Sequence, residues 1–257
     1  MTDSNKPGRT LTTTKKSLKI VETLQEMGTA QVSKLAEELD MSVSTVHHHI
    51  ATLQEAGYVN KENESYRLSW KFLTLTGKLR MKSNHYRKIS NKVNELAYET
   101  SERAQFVVEE GGKGVWITTS LGPDAILTDI RAGLREPLHT IAAGKAILAQ
   151  LPEQRIEEIF ESQGLASHTD NTVTTREQII SQLEEVRQDG FAVNNQERIE
   201  LETGIGVPLM NSNTGELLGA MSISAPHQRW NTDETFEEHA DLLLEAKSEL
   251  ELSMAYE

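Results

Sequence analysis

A length of 257 residues with no cysteine suits two domains, the larger able to bury its own core, and excludes a disulfide framework, a thiolate nucleophile and a cysteine metal site. The formal net charge of −13 argues against a nucleic-acid partner only on average, because residues 1–92 hold 15 basic and 9 acidic side chains while 93–257 hold 11 and 30, a basic head on an acidic body. No apolar run approaches the roughly 20 residues of a membrane span and the polar start from Met1 to Arg9 lacks the apolar core of a secretion signal, so a cytoplasmic protein without a membrane partner is expected.

After a tail over 1–13, a helix is predicted from Thr14 to Met27. Leu18, Val21 and Leu24 repeat there at helical spacing, Ile20 and Met27 widen the stripe, Thr13 or Thr14 offers a cap and Gly28 a stop. Val32, Leu35, Ala36 and Leu39 make a second short helix, ended at Asp40-Met41 before Ser42, a good cap for a third. In that third helix, Val43 to Ala56, steps of about 100° per residue put Val46, Ile50 and Leu53 on one narrow inward stripe. Opposite lie Ser44, His48 and Thr52, with Thr45 on the flank: a small, hydrogen-bonding face suited to base edges in a major groove. The bland reading of the same face is a solvated surface helix, but the next segment favours the groove. Gly57 to Asn60 and Ser65 to Leu68 read as two strands around the turn Lys61 to Glu64, a wing completing a DNA-binding domain over 14–68. Lys61 and Asn63 at its tip, with Arg9, Lys15 and Lys16 before or in the first helix, are candidates for phosphate or minor-groove contact. The run His47-His48-His49 is no metal site, since adjacent helical residues diverge too far for three imidazoles to meet on one ion. His48 points outward, and His47 and His49 are expected to straddle the core edge.

Residues 69–84 read as a linker helix. Trp70, Phe72, Leu73, Leu75 and Leu79 stand among Lys71, Lys78, Arg80 and Lys82, an apolar face that suits pairing with a second copy of itself across the two-fold axis a palindromic operator requires. The same face suits docking on its own second domain.

The domain expected over 85–257 begins with a helix from about Tyr86 to Thr100. Strands follow at Gln105 to Glu109, Val115 to Thr119 and Ile126 to Ile130, then helices at Ala142 to Leu151, Pro152 to Ser162 and Arg176 to Asp189. Strands at Phe191 to Asn194, Ile205 to Met210 and Leu217 to Ser224 precede a long helix from about Asp233 to Tyr256. Mixed without strict alternation, these predict an α+β (α/β) fold with a largely antiparallel curved sheet and packed helices.

Ser44-Thr45-Val46-His47 and Ala51-Thr52-Leu53 through Gly57-Tyr58-Val59 resemble the recognition-helix signature of the IclR family. Pro137-Leu138-His139, Gly144-Lys145-Ala146, Gly190-Phe191-Ala192-Val193 and Ser222-Ile223-Ser224-Ala225-Pro226 resemble motifs of its effector domain, in family order and across nearly the whole chain. The resemblance implies a winged helix-turn-helix joined to a GAF-like effector domain, dimers or dimers of dimers, and small organic acids or related catabolites as effectors. Carried over, the effector pocket falls on Ala142, Ala143 and Gly144, on Asn194, on Gly204 and on Ser222 with Ser224. The residues lend this their own support. Unpaired amides at the start of a helix near Ala142 to Lys145 attract a carboxylate, and alternation puts Ala220, Ser222 and Ser224 on one strand face with Leu217, Gly219, Met221 and Ile223 on the other. Ordinary strand-to-helix packing would explain the serines equally well. One departure stands out: the family often has Arg-Cys where Thr203-Gly204 stands here, and a Pro-Gly approach where Glu200-Leu201-Glu202 stands. A widened pocket without the thiol points to a larger or differently polar effector such as a sugar acid.

Enzyme readings fail on their motifs. A phosphate loop ending at Gly144-Lys145 has His139 for its first glycine and Ala146 for its hydroxyl, and neither Ser222 nor Ser224 lies in a nucleophile elbow. No catalytic residue, cofactor or metal is expected. The reading is a ligand-responsive transcription regulator, repressor or activator, whose partners are double-stranded DNA, a small carboxylate effector and a second copy of the chain. The alternative is a constitutive DNA-binding protein whose second domain serves only oligomerisation or protein contact.

Overall fold

The computed structural model describes residues 10–81, 85–230 and 233–256, and the chain divides into two compact units, 1–83 and 84–257. In the first, α1 (Thr12–Met27) is followed by β1 (Thr29–Ala30), α2 (Val32–Glu38) and α3 (Val43–Glu55), then by the hairpin β2 (Val59–Glu62) and β3 (Ser65–Leu68), and α4 (Lys71–Met81). Ile20, Leu24, Leu35, Val46, Ile50 and Val59 close its core, each at most 1% exposed. Two expectations are corrected here, and one element is new. Helix α1 starts at Thr12 with no side-chain cap. It also turns a different face inward: Ile20 and Leu24, four apart, set the buried direction with Thr23, which leaves Leu18, about 200° of helix from Ile20, 56% exposed. And β1, which was not foreseen, adds a third strand by pairing Thr29 and Ala30 with Arg67 and Tyr66.

The second unit is built on one antiparallel sheet. Its elements are α5 (Tyr86–Thr100), β4 (Arg103–Glu110), β5 (Lys113–Leu121), β6 (Arg135–Pro137), α6 (Ala142–Gln150), α7 (Glu153–Gln163), α8 (Arg176–Asp189), β7 (Ala192–Asn195), β8 (Glu202–Met210), β9 (Leu217–Pro226) and α9 (Asp233–Ala255). The strand order is β6-β5-β4-β9-β8-β7. Alternation sorts the side chains into two cores. On one face Phe106, Ile205, Val207, Met221 and Ile223 pack against α5 and α9 through Val93, Leu96, Leu243 and Leu250. On the other, Val107, Trp116 and Ala220 pack against α6, α7 and α8 through Ile147, Phe160, Ile179 and Leu183.

The strand expected at Ile126 to Ile130 does not form. The edge of β5 is taken instead by β6, with Val115 opposite Arg135, and the Ile126 carbonyl accepts from Arg103 Nη2 at 2.6 Å rather than from a ladder; Leu127 is 84% exposed. Among the described residues no helix is long and apolar enough to cross a membrane.

Candidate functional site

On the first unit, α3 presents the face drawn from its periodicity. Ser42 caps the helix, its Oγ accepting from the Thr45 amide at 3.2 Å and lying 2.7 Å from Thr45 Oγ1. Ser44, His48 and Thr52 are exposed and Thr45 is half-buried; the Thr52 hydroxyl donates to the His48 carbonyl at 3.0 Å. Of the three consecutive histidines, His47 is exposed rather than at the core edge, while His49 is 9% exposed and bonds through Nδ1 to Ser17 Oγ at 2.8 Å, tying α3 to α1. Lys15 is exposed and Lys16 half-buried, while Arg9 lies outside the described residues. Lys61 is not at the wing tip but in β2 opposite Tyr66, its Nζ 5.9 Å from that ring, because the hairpin turns more tightly, on Asn63 in the left-handed region with φ 56°. The tip itself is acidic: Glu62 pairs with Arg67 and Glu64 is exposed. The linker helix begins at Lys71 and not at Ser69, so Trp70 precedes it; Trp70, Leu73 and Leu75 are exposed, and Phe72 lies against Tyr58 with ring centroids 5.3 Å apart and planes tilted by 55°. Lys82 and Ser83, and the side chains of 78–81, lie outside what is described.

On the second unit, six of the seven expected pocket residues line one small cavity of about 20 Å³: Ala142, Ala143, Asn194, Gly204, Ser222 and Ser224. The register explains the convergence. Gly204 pairs with Asn194 on one side and Ser224 on the other, and Gly206 with Ser222, so the hydroxyls and the two bare backbone positions share a sheet face. The first turn of α6 rests there because a Cβ at Gly206 would stand 2.6 Å from the Ala142 carbonyl carbon, so only glycine admits the helix. That helix start has no side-chain cap, which leaves its amides available to an acceptor. Gly144 is not on the cavity wall. A Cβ at Gly144 would meet the Leu138 carbonyl oxygen at 2.1 Å, so its role is to let α6 pass that backbone. Asn194 is committed to the frame, its Nδ2 donating to the Thr140 carbonyl at 2.7 Å and its Oδ1 accepting from the Glu197 amide at 2.9 Å. The Ser222 and Ser224 hydroxyls, by contrast, are buried without a partner among the described residues.

Four polar or aromatic wall residues were not foreseen: Gln105, Trp116, Arg198 and Glu202. Gln105 Oε1 accepts from Trp116 Nε1 at 2.9 Å. Arg198 Nη2 donates to both oxygens of Asp129, at 2.9 and 2.8 Å, and to Glu136 at 3.2 Å; its guanidinium lies 5.6 Å from the Trp116 ring centroid. Glu202 faces Arg103 Nη1 at 3.3 Å, and burial pushes its carboxyl above the ordinary range against the pull of Arg103 and Arg198. The only sequence signal for these residues was the altered stretch Glu200-Leu201-Glu202, since a charged residue between strands reads as surface by default. Beside the cavity, Lys145 Nζ is buried on Glu197 at 2.7 and 2.9 Å, an internal tie between α6 and the β7–β8 loop; burial lowers its pKa, opposed by Glu197. The arrangement offers donors and apolar walls to an acceptor-rich molecule.

Comparison with known proteins agrees with both units. Residues 81–251 match the model described as bacterial transcriptional regulator IclR C-terminal, and residues 14–61 that of the bacterial regulatory protein, arsR family. Over 255 residues the chain is 29% identical to the "Probable HTH-type transcriptional regulator ArcR" of Halobacterium salinarum, spanning 98% of this chain and 97% of that one. The crystal structure of the Thermotoga maritima IclR superposes with a TM-score of 0.80 at 29% identity, over 94% of this chain and 98% of its own. An IclR homolog of Microbacterium hydrocarbonoxydans, solved in complex with 4-hydroxybenzoate, has the same fold, with a TM-score of 0.79 at 22% identity over 96% and 100%. With a family model spanning more than half of its length, a helix-turn-helix on its basic head and regulators rather than enzymes as its relatives, the chain belongs to the IclR family of transcriptional regulators.

Proposed function

We propose that the protein is a cytoplasmic, homodimeric regulator that reads a palindromic operator with α3 and changes its DNA affinity when a small organic or sugar acid enters the cavity under α6. The observation that carries the sensing half is the pair of buried, unpartnered hydroxyls on Ser222 and Ser224. Burying a donor without a partner is unfavourable, so a wall that keeps two of them suits a ligand that satisfies them. A homolog of the same fold holds 4-hydroxybenzoate, a carboxylate with a second oxygen function, which is the chemistry this wall accepts. The DNA half rests on the exposed hydroxyl-and-imidazole face of Ser44, His48 and Thr52, with Lys15 and Lys16 as phosphate contacts and Asn63 nearest the adjacent groove. Two copies of α3, carried by a dimer or a dimer of dimers, meet successive major grooves, and effector and operator then influence each other reciprocally through their preference for the same or different spacings of the heads.

Footprinting over the gene's own upstream region, with and without a panel of carboxylic acids, tests both halves. The expected result is a protected palindrome whose affinity shifts with at least one acid. Ser44→Ala with His48→Ala should erode discrimination between operator and random duplex, whereas Lys15→Ala with Lys16→Ala should weaken both and flatten the salt dependence. Unchanged sequence preference in the first double variant removes the α3 face as reader. A constitutive DNA-binding protein with a purely assembling second domain would instead give the same footprint with every acid tested.

A further inference from the structure

Among the described residues that line the cavity, Arg198 alone is cationic. It is 8% exposed although it stands in the β7–β8 loop. A guanidinium stays charged at any physiological pH and carries five N–H donors. Here Nη2 is taken by Asp129 and Glu136, while Nε and Nη1 are buried with no partner. Three N–H groups of a buried cation thus stand idle in the same cavity as the two idle serine hydroxyls. Unsatisfied buried donors are rare and costly, and five together around one space is a pattern that a bound acceptor resolves. The pairing on the far side is asymmetric: the Arg198 side chain is 5% exposed but that of Asp129 is 55% exposed, so Asp129 is an external carboxylate leaning on an internal cation.

We propose that Arg198 is the specificity-determining anchor of this cavity, donating from its idle Nη1 to the carboxylate of a hydroxy or oxo acid while Ser222 and Ser224 donate to its other oxygens. The inference rests on the acid-sensing reading given above and names the residue that makes it selective for acids. The uncapped start of α6 supplies a further donor edge, and the Trp116 ring lies 5.6 Å from the guanidinium carbon, within cation–π range. Asp129 competes with the ligand for the same cation. Glu202 is the one carboxylate among the described residues that line the cavity, and burial favours its neutral form.

Calorimetry on the full-length protein tests this with gluconate, pyruvate and 4-hydroxybenzoate, each beside its uncharged amide. At least one acid should bind roughly tenfold or more tightly than its amide, the difference a charge-assisted hydrogen bond supplies. Arg198→Gln should cancel that preference by weakening the acid and leaving the amide unchanged. Asp129→Asn, at an exposed position that the fold can spare, should tighten the acid severalfold, an effect of opposite sign that holds its value even where Arg198→Gln does not fold. An acid that binds Arg198→Gln as it binds the unaltered protein, or an Asp129→Asn that leaves acid affinity the same or lower, overturns the anchor and spares the sensing. Failure of all three acids to bind the unaltered protein removes acid sensing and the anchor with it.

Discussion

Leu201 holds its backbone at φ 65°, the left-handed region in which a side chain with a Cβ costs about 1–2 kcal/mol. Its side chain is exposed, so little packing repays the strain, while its carbonyl accepts from the His227 amide at 2.6 Å and pins the loop. Gln196, at φ 61° in the same connection, doubles the distortion on either side of Arg198. Leu201→Gly should therefore stabilise the protein by up to about 1 kcal/mol, the relief being partly offset by the greater freedom of glycine in the unfolded chain. A thermal melt that moves down rather than up refutes it. The position was visible in the sequence as a departure from a glycine-bearing pattern, yet its meaning was not, because nothing in composition or spacing reports a dihedral angle. Arg198 was invisible for a related reason: burial of a loop arginine follows from where Asp129 and Glu136 arrive, 69 and 62 residues away along the chain.

At the scale of elements, periodicity told most of what mattered. Helix α3 came out with the face read from steps of about 100° and β9 with Ser222 and Ser224 alternating against Met221 and Ile223, but Leu217 packs with Ala220 instead of with Met221 because the register shifts between Leu209 and Met210; helices over Tyr86–Thr100 and Arg176–Asp189 carry the expected bounds. What escaped were β1 and β6, two and three residues long, too short to show a period, and the apolar run Ile126 to Ile130, which has strand composition but finds the β5 edge occupied. The glycines of β8 separate packing from binding. At Gly206 the added methyl of alanine would collide with the Ala142 backbone at 2.6 Å, whereas at Gly204 it would meet Ile223 and Ser224 at 3.3 and 3.5 Å. Gly206→Ala should accordingly cost about 1–3 kcal/mol of stability, the usual toll of overpacking, while Gly204→Ala should fold almost normally and narrow the cavity. Equal stability loss in urea titrations of the two variants would contradict the placement of α6 on β8.

For the whole molecule, charge and apolar surface are distributed by unit. The head is basic around an exposed polar helix, and it also exposes Leu11, Leu18, Trp70, Leu73 and Leu75. The second copy proposed above would cover the side chains around α4. Trp70→Glu, at a side chain 73% exposed, should leave the fold intact, shift sedimentation from dimer towards monomer and lower operator affinity more than affinity for random duplex. A variant that sediments as the unaltered protein does would move the interface elsewhere. The acidic unit, meanwhile, has a dividing wall in β9, whose Ser222 and Ser224 look into the cavity while Met221, Ile223 and Ala225 belong to the core under α5 and α9. Exchanges at Ser222 or Ser224 would retune the proposed ligand cavity and leave Met221 and Ile223 in place, but a single residue inserted or deleted beside them would swap the two sets at a stroke, so this stretch of the strand should tolerate substitution far better than a change of length.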